Sequence, residues 1–359
     1  MSRVEREIDF SNLQRVLVIK LRHHGDVLLT SPLFALLKSR YPQLEIDALV
    51  YRDTEPMLAG HPDIRTIHCI DKSWKRLGTR GHLAREFGLM RTLKAQGYDL
   101  IIHLTESWRG AILSRYLKPR YAISRRYGSR RSKLWLNSFT HHYSAPGGNR
   151  RHMVEIHLDA LRHLGLHPAE DEKRLQAVAG SDAEISLTEK LNALAPPWIV
   201  IHPTSRWLFK CWRESSMSEL IERLASQGRR IVITAGPDPR ELAMVERILA
   251  RVTQPVTNLA GALSLKELVA VIGRAELFIG VDSVPMHIAS ATQTPTVVLF
   301  GPSGEHEWGP WQNRAKVITS SHPCRPCGQD GCGGGKVSEC LTSIETGRVL
   351  EAAEALLDG

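Results

Sequence analysis

Short runs of branched apolar residues alternate along the chain with longer stretches whose apolar positions recur every three or four residues. Residues 15–21 (RVLVIKL) form the first run and predict a buried strand. The turn Arg22-His23-His24-Gly25-Asp26 separates it from a helical pattern, VLLTSPLFALLKSRY. Further strands are predicted over 44–51, 98–104 and 119–124, with helical patterns between them. Near residue 165 the pattern weakens, and the stretch 166–197, ending in APP, reads as a domain junction. The rhythm then resumes with strands at 198–203 and 229–237 and a helix starting near Glu214. Helices over 239–251 and SLKELVAVIGRA, strands at 276–282 and 295–303, and a last helix over 343–357 complete it. Such alternation implies parallel sheets covered by helices on both faces. The expected fold is α/β: two Rossmann-like domains whose parallel sheets face across a cleft. The boundaries expected are 1–170 for the first domain, 171–197 for a linker and 198–359 for the second.

Composition narrows the class. The chain has 359 residues, 42% hydrophobic and 24% charged, a mixture typical of globular proteins and long enough for two domains. No apolar run reaches the ~18 residues of a membrane span. The start, MSRVEREIDFSNLQR, has no apolar stretch behind its charges to mark secretion. Six cysteines are too few for a disulfide scaffold, so a reducing cytoplasm is expected. The net charge of +9 is uneven: residues 1–150 carry 26 Lys+Arg against 13 Asp+Glu, and residues 151–359 carry 21 against 25. The first half is therefore the one suited to an acidic partner.

Three constellations carry candidate chemistry. In the first, Asp26 follows Gly25 at the carboxyl end of a predicted strand, where open α/β sheets place reactive groups. It reads either as a cap of the following helix or as a general base, and His23 and His24 either as turn residues or as acceptor contacts. In the second, Thr204, Ser205 and Lys210 lie in the loop after the strand at 198–203, hydroxyls and a cation suited to a diphosphate or simply a solvated loop. In the third, Gly280-Val281-Asp282-Ser283-Val284-Pro285-Met286-His287 opens a helix whose first N–H groups suit an anion, with Asp282 or Ser283 available as cap. Nucleotide-binding glycine motifs, a hydrolase elbow and a metal-holding D-x-D are all absent from the sequence.

The stretch VLVIKLRHHGDVLLTSP resembles the opening of the lipopolysaccharide core heptosyltransferases, glycosyltransferase family 9, and GVDSVPMHIASATQTPTVVLFGPS resembles their second signature. The loop HPTSRWLFKCW falls where the family places its hydroxyl pair and lysine. Within the family, the Arg-His-His-Gly-Asp form is most similar to the members that add the branching third heptose. The resemblance implies a GT-B fold and inverting, metal-independent transfer from ADP-L-glycero-D-manno-heptose, with no cofactor. The acceptor implied is the second heptose of a phosphorylated lipid A–core at the cytoplasmic face of the inner membrane. It implies Asp26 as catalytic base and Lys210, Thr204 and Ser205 at the donor phosphates. Asp282, Ser283, Val284, Met286 and His287 would form the donor-holding loop, with the adenosine contacts near Glu241 and Leu263. Val284-Pro285 departs from the Gly-Leu of many members, and Pro285 has no N–H to offer a diphosphate.

Between Glu106 and Glu155 there is no acidic residue and there are eleven basic ones, among them Arg125, Arg126, Arg130 and Arg131, with Trp and Tyr interleaved. A phosphorylated core acceptor on an anionic membrane accounts for these charges, as would a solvated basic face; no nucleic-acid recognition motif accompanies them. Cys324, Cys327, Cys332 and Cys340 include only one C-x2-C pair and are expected as reduced loop cysteines, with a structural metal as the other reading. A nucleotide-sugar epimerase and a non-catalytic binder on the same fold are the competing functional classes.

Overall fold

Residues 8–146, 148–191 and 194–358 are described by the computed structural model; 1–7, where the absence of a leader was read, and 192–193, within the expected linker, lie outside them. The apolar runs form two six-stranded sheets, every strand parallel to its neighbours. The first contains β1 (Arg15–Ile19), β2 (Glu45–Tyr51), β3 (Thr66–Ile70), β4 (Leu100–His103), β5 (Tyr121–Arg125) and β6 (His141–Tyr143). The second contains β7 (Ile199–His202), β8 (Ile231–Ile233), β9 (Thr257–Asn258), β10 (Leu277–Val281), β11 (Thr296–Leu299) and β12 (Ala315–Ile318). Their orders are β3-β2-β1-β4-β5-β6 and β12-β11-β10-β7-β8-β9. Counted within its own domain, each reads 3-2-1-4-5-6, the dinucleotide-binding order, with its switch point between the first and fourth strands.

Helices α1 (His24–Leu28), α2 (Ser31–Arg40), α3 (Gly78–Gln96), α4 (Trp108–Leu117), α5 (Lys133–Leu136) and α6 (Met153–Arg162) belong to the first unit. The second carries α7 (Ser181–Lys190), α8 (Glu214–Ser226), α9 (Pro239–Leu249), α10 (Leu265–Gly273), α11 (Val284–Ala291), α12 (Glu305–Trp308), α13 (Glu339–Thr342) and α14 (Thr346–Leu357). Local chemistry sets several starts: Ser264 and Glu267 form a capping box on α10, and Asp238 caps α9 ahead of Pro239 at its first position. The central strands are buried on both faces, as a doubly covered parallel sheet requires.

The chain divides into one unit of Met1–Gly147 with Met153–Gln176 and a second of Gly148–His152 with Ala177–Gly359. The stretch 171–197, read as a linker, contains the ordered helix α7, which packs on α10 of the second unit. Within that unit Asn149 Oδ1 accepts the backbone N–H groups of His306 and Glu307 at 2.9 and 3.0 Å. The His152 ring stacks on Trp311 at 4.4 Å, and its Nε2 lies 3.0 Å from the Gly309 carbonyl.

Candidate active site

Each unit places a lysine–aspartate pair beside its own switch point. In the first unit Lys20 follows β1 and is almost wholly buried. Its Nζ lies 3.4 Å from Asp26 Oδ1, donates to the Leu104 carbonyl beyond β4 at 3.3 Å, and meets His157 Nε2 at 2.9 Å. His157 Nδ1 is 3.0 Å from the Leu29 carbonyl. Since Lys20 can only donate, His157 Nε2 is the acceptor and Nδ1–H bonds Leu29. The imidazole on α6 thus ties together both ends of the segment that carries Asp26. Burial pushes the Lys20 ammonium below its ordinary pKa, opposed by Asp26, while Arg22 and Arg125 add to the lowering. Burial raises the Tyr127 hydroxyl above its ordinary range, with Arg125 and Arg22 opposing and Glu106 and Asp26 adding to the rise.

Asp26 does not cap a helix. It is the third residue of α1, whose cap position is His23, and α2 begins after Thr30. Its carboxylate keeps 17% of its surface exposed, and Lys20 supplies its ion pair. One carboxylate oxygen thus has a cation beside it while part of the side chain stays open to solvent. His24 opens α1; its Nε2 lies 2.8 Å from the Asp53 carbonyl, and burial lowers its pKa. His23 is exposed at the N-cap.

In the second unit Lys210, in a short turn after β7, pairs with Asp282 at the end of β10 at 2.6 Å. Ser338 Oγ donates to the Phe209 carbonyl at 2.6 Å and pins that turn. Thr204 is fully buried, and its hydroxyl donates to Glu241 Oε2 at 2.7 Å, so these two expected donor contacts meet each other. Ser205 Oγ accepts the Trp207 N–H at 3.3 Å. Gly280 is where β10 passes close to β7: a Cβ there would lie 2.7 Å from Phe278 Cζ and 3.2 Å from the His202 carbonyl.

Ser283 occupies the N-cap of α11, but its hydroxyl turns back to the Val281 carbonyl at 3.2 Å. Asp282 is taken by Lys210, so neither side chain covers the helix start. Val284 and Pro285 begin α11. Met286 is completely buried in the core, leaving only its backbone for a donor, and its N–H already bonds the Ser283 carbonyl at 3.2 Å. His287 is buried on the same helix. Leu263 is half-buried in the loop between β9 and α10. His202, ending β7, is buried with its pKa lowered to about 4, its Nδ1 2.9 Å from Thr234 Oγ1.

The basic stretch is not uniformly loose. Arg125 donates to the Ala145 carbonyl at 3.1 Å, and Arg130 donates to Glu106 O at 3.1 Å while lying 5.6 Å from the Trp135 ring. Arg131 donates to Gly128 O at 2.8 Å, and Arg126 is exposed. None of the six cysteines is in a disulfide. Burial pushes the Cys69 and Cys211 thiols up to about 12, which makes them unreactive near neutrality. Cys324 Sγ lies 3.2 Å from His322 Nδ1. Among the described residues no group of three or more His, Cys, Asp or Glu is arranged to hold a metal ion, and no helix is long and apolar enough to cross a membrane.

His157 was not singled out from sequence, and Lys20, Arg22 and Tyr127 were read only as members of the segments around them, with no role of their own. Only the rarity of a lysine ending an apolar strand could have marked Lys20, and nothing local marks His157.

Two domains, each with the dinucleotide-binding strand order and charged side chains gathered where that order reverses, are the halves of the GT-B fold. Residues 87–337 match glycosyltransferase family 9 (heptosyltransferase), and the chain belongs to that family. It is 40% identical over 294 residues to lipopolysaccharide heptosyltransferase 3 of Escherichia coli, covering 82% of this chain and 85% of that one. The family 9 glycosyltransferase structure from Veillonella parvula superposes with a TM-score of 0.82 at 21% identity, covering 98% and 99% of the two chains. Escherichia coli heptosyltransferase WaaC with ADP gives 0.74 at 20% identity, with 96% and 100% covered.

Proposed function

We propose that this heptosyltransferase moves a heptose from ADP-L-glycero-D-manno-heptose to the second heptose of the lipopolysaccharide inner core, with inversion at the anomeric carbon. Similarity to a heptosyltransferase of lipopolysaccharide supports the substrate class, and a related structure holding ADP supports the donor nucleotide. The observation that carries the mechanism is Asp26: a partly exposed carboxylate at a switch point, fixed by a buried lysine and spent on no helix cap.

Asp26 accepts the proton of an acceptor hydroxyl as that oxygen attacks the anomeric carbon. The bond from that carbon to the diphosphate oxygen breaks, and its electron pair leaves with ADP. A single displacement from the opposite face inverts the centre. Charge growing on ADP is met by the Lys210 ammonium, the Ser205 hydroxyl and the start of α11. Thr204 and Glu241 shape the floor beneath the nucleotide. No step requires a metal. Arg125, Arg126, Arg130 and Arg131 recruit the phosphorylated core, with His23 as a further acceptor contact, and the enzyme works peripherally at the cytoplasmic face of the inner membrane.

Asp26→Asn tests this reading. The amide keeps the shape and loses the basicity, so transfer should fall about 10²–10⁴-fold with ADP affinity nearly unchanged. Retention of most of the activity would remove Asp26 from the chemistry.

A further inference from the structure

Exposed apolar side chains of the first unit gather on α3 and α4. Helix α3 buries a single residue, Leu93, and turns Leu83 and Phe87 outward, 49% and 59% exposed. On α4 the row Trp108-Ile112-Tyr116, spaced by four residues, is exposed too, Ile112 at 56%. The two helices pack together, and Gly88, Arg91, Thr92 and Lys94 of α3 share a shallow groove with Tyr116 of α4. Lys94 closes one end by donating to the Leu117 carbonyl at 2.7 Å, and Arg109 donates to Glu86 at 2.5 Å. The exposed apolar side chains thus lie on two helices that pack on each other.

The charges around them have one sign. Residues 72–96 and 108–120 contain eleven Lys and Arg and a single acid, Glu86, which Arg109 already pairs. Large apolar side chains this exposed, gathered on two adjoining helices, mark a surface that another body covers. A nucleic acid would use the cations and leave Leu83, Phe87 and Ile112 in water. The boundary between headgroups and acyl chains takes both: leucine and phenylalanine enter the acyl edge, Trp and Tyr sit at headgroup level, and Arg and Lys meet anionic lipid.

We propose that the α3–α4 face is a docking surface for an anionic phospholipid bilayer, with Leu83, Phe87 and Ile112 inserted and Arg80, Arg85, Arg91 and Arg115 on the headgroups. The inference deepens the reading that the acceptor is lipid-borne. It assigns membrane attachment to residues distinct from the arginines over 125–131 that recruit the core.

The experiment uses the full-length protein and sedimented vesicles of phosphatidylcholine with and without phosphatidylglycerol, in the absence of donor and acceptor. The protein is expected to bind only the anionic vesicles. Arg85→Gln with Arg91→Gln should lower partitioning about 25-fold, about fivefold for each charge removed. Phe87→Ser with Ile112→Ser should lower it at least ~tenfold, because about 0.8 kcal/mol is lost per CH2 no longer buried. Both variants should transfer to a soluble, lipid-free core oligosaccharide at the wild-type rate. Vesicle binding that survives both double substitutions would overturn the proposal, as would equal binding to neutral vesicles. Loss of transfer to the soluble acceptor would overturn it too, by placing these residues in the acceptor site or the fold. Since the vesicle assay contains no sugar, it succeeds or fails independently of the heptosyl-transfer reading.

Discussion

Lys210 and Asp282 offer a measurable test of the phosphate site proposed for the second unit. The pair is short, 2.6 Å, and mostly dry, with 22% and 9% of the side chains exposed. At an effective dielectric of about 20 the bare attraction is about 6 kcal/mol. Desolvation and lysine entropy remove most of that, since exposed pairs are worth about 0–1 kcal/mol and a broken buried pair costs about 3–5. With one partner nearly buried and the other partly wet, the coupling should be about 2 kcal/mol. Lys210→Met strands a carboxylate that water reaches poorly and should cost more stability than Asp282→Asn, which strands an ammonium that can hydrate. The double variant should recover about 2 kcal/mol relative to the sum of the two. At about 2–4 °C per kcal/mol for a domain of this size, the recovery is about 4–8 °C in a melting experiment. Repeating the melts with ADP separates the roles, because ligand stabilisation follows affinity: Lys210→Met should lose more of the ADP-induced shift than Asp282→Asn. Single effects that add to within about 0.5 kcal/mol would mean that the two side chains do not act as a pair, and the picture of a lysine held ready for the diphosphate would fall.

Three other outcomes are expected. Lys20→Met, which keeps the length and burial of the side chain, should lower kcat with little change in donor KM and add almost nothing in an Asp26→Asn background; a full additional loss there would make Lys20 independent of Asp26. His202 has its pKa lowered to about 4 by burial while the unfolded chain takes its proton near 6.5. Its stabilisation, about 3 kcal/mol from that gap, is complete above pH 6.5 and drains away as the pH falls toward 4; urea melts at pH 7 and pH 5 should show the decline, and His202→Gln should make it shallower, with His103, lowered to about 3 by burial, still contributing. Turnover should withstand excess EDTA, given the lack of a D-x-D, and loss with magnesium rescue would refute a metal-free transfer.

The strands that announced themselves are those near the middle of each sheet. Burial on both faces demands unbroken apolar runs, such as Val16 to Ile19 or Ile199 to Ile201, and such runs are visible in any single sequence. The outer strands were harder to see. His141-His142-Tyr143 has no apolar run, and β12 leaves Lys316 and Val317 exposed at its edge. The long helix α3 buries so little that its period carries almost no signal. The candidate site divides in the same way. Asp26, Lys210 and Asp282 sit in local motifs beside strand ends, where chemistry is expected. The longer-range contacts of the site come from far along the chain: His157 is 137 residues from Lys20, and Asp282 is 72 from Lys210. Contacts of that kind are products of the fold and leave no mark in the segments themselves.

The five residues Gly148–His152 make the second unit a discontinuous segment of the gene. A fragment begun at Ala177 would lack the Asn149 side chain that receives the first N–H groups of α12 and the imidazole stacked on Trp311. A fragment ended at Gln176 would carry those five residues with no surface of their own to bind. Cutting the protein at its apparent joint therefore damages both pieces. A circular permutant with new ends inside an exposed loop of the second unit keeps residues 148–152 covalently joined to everything they touch.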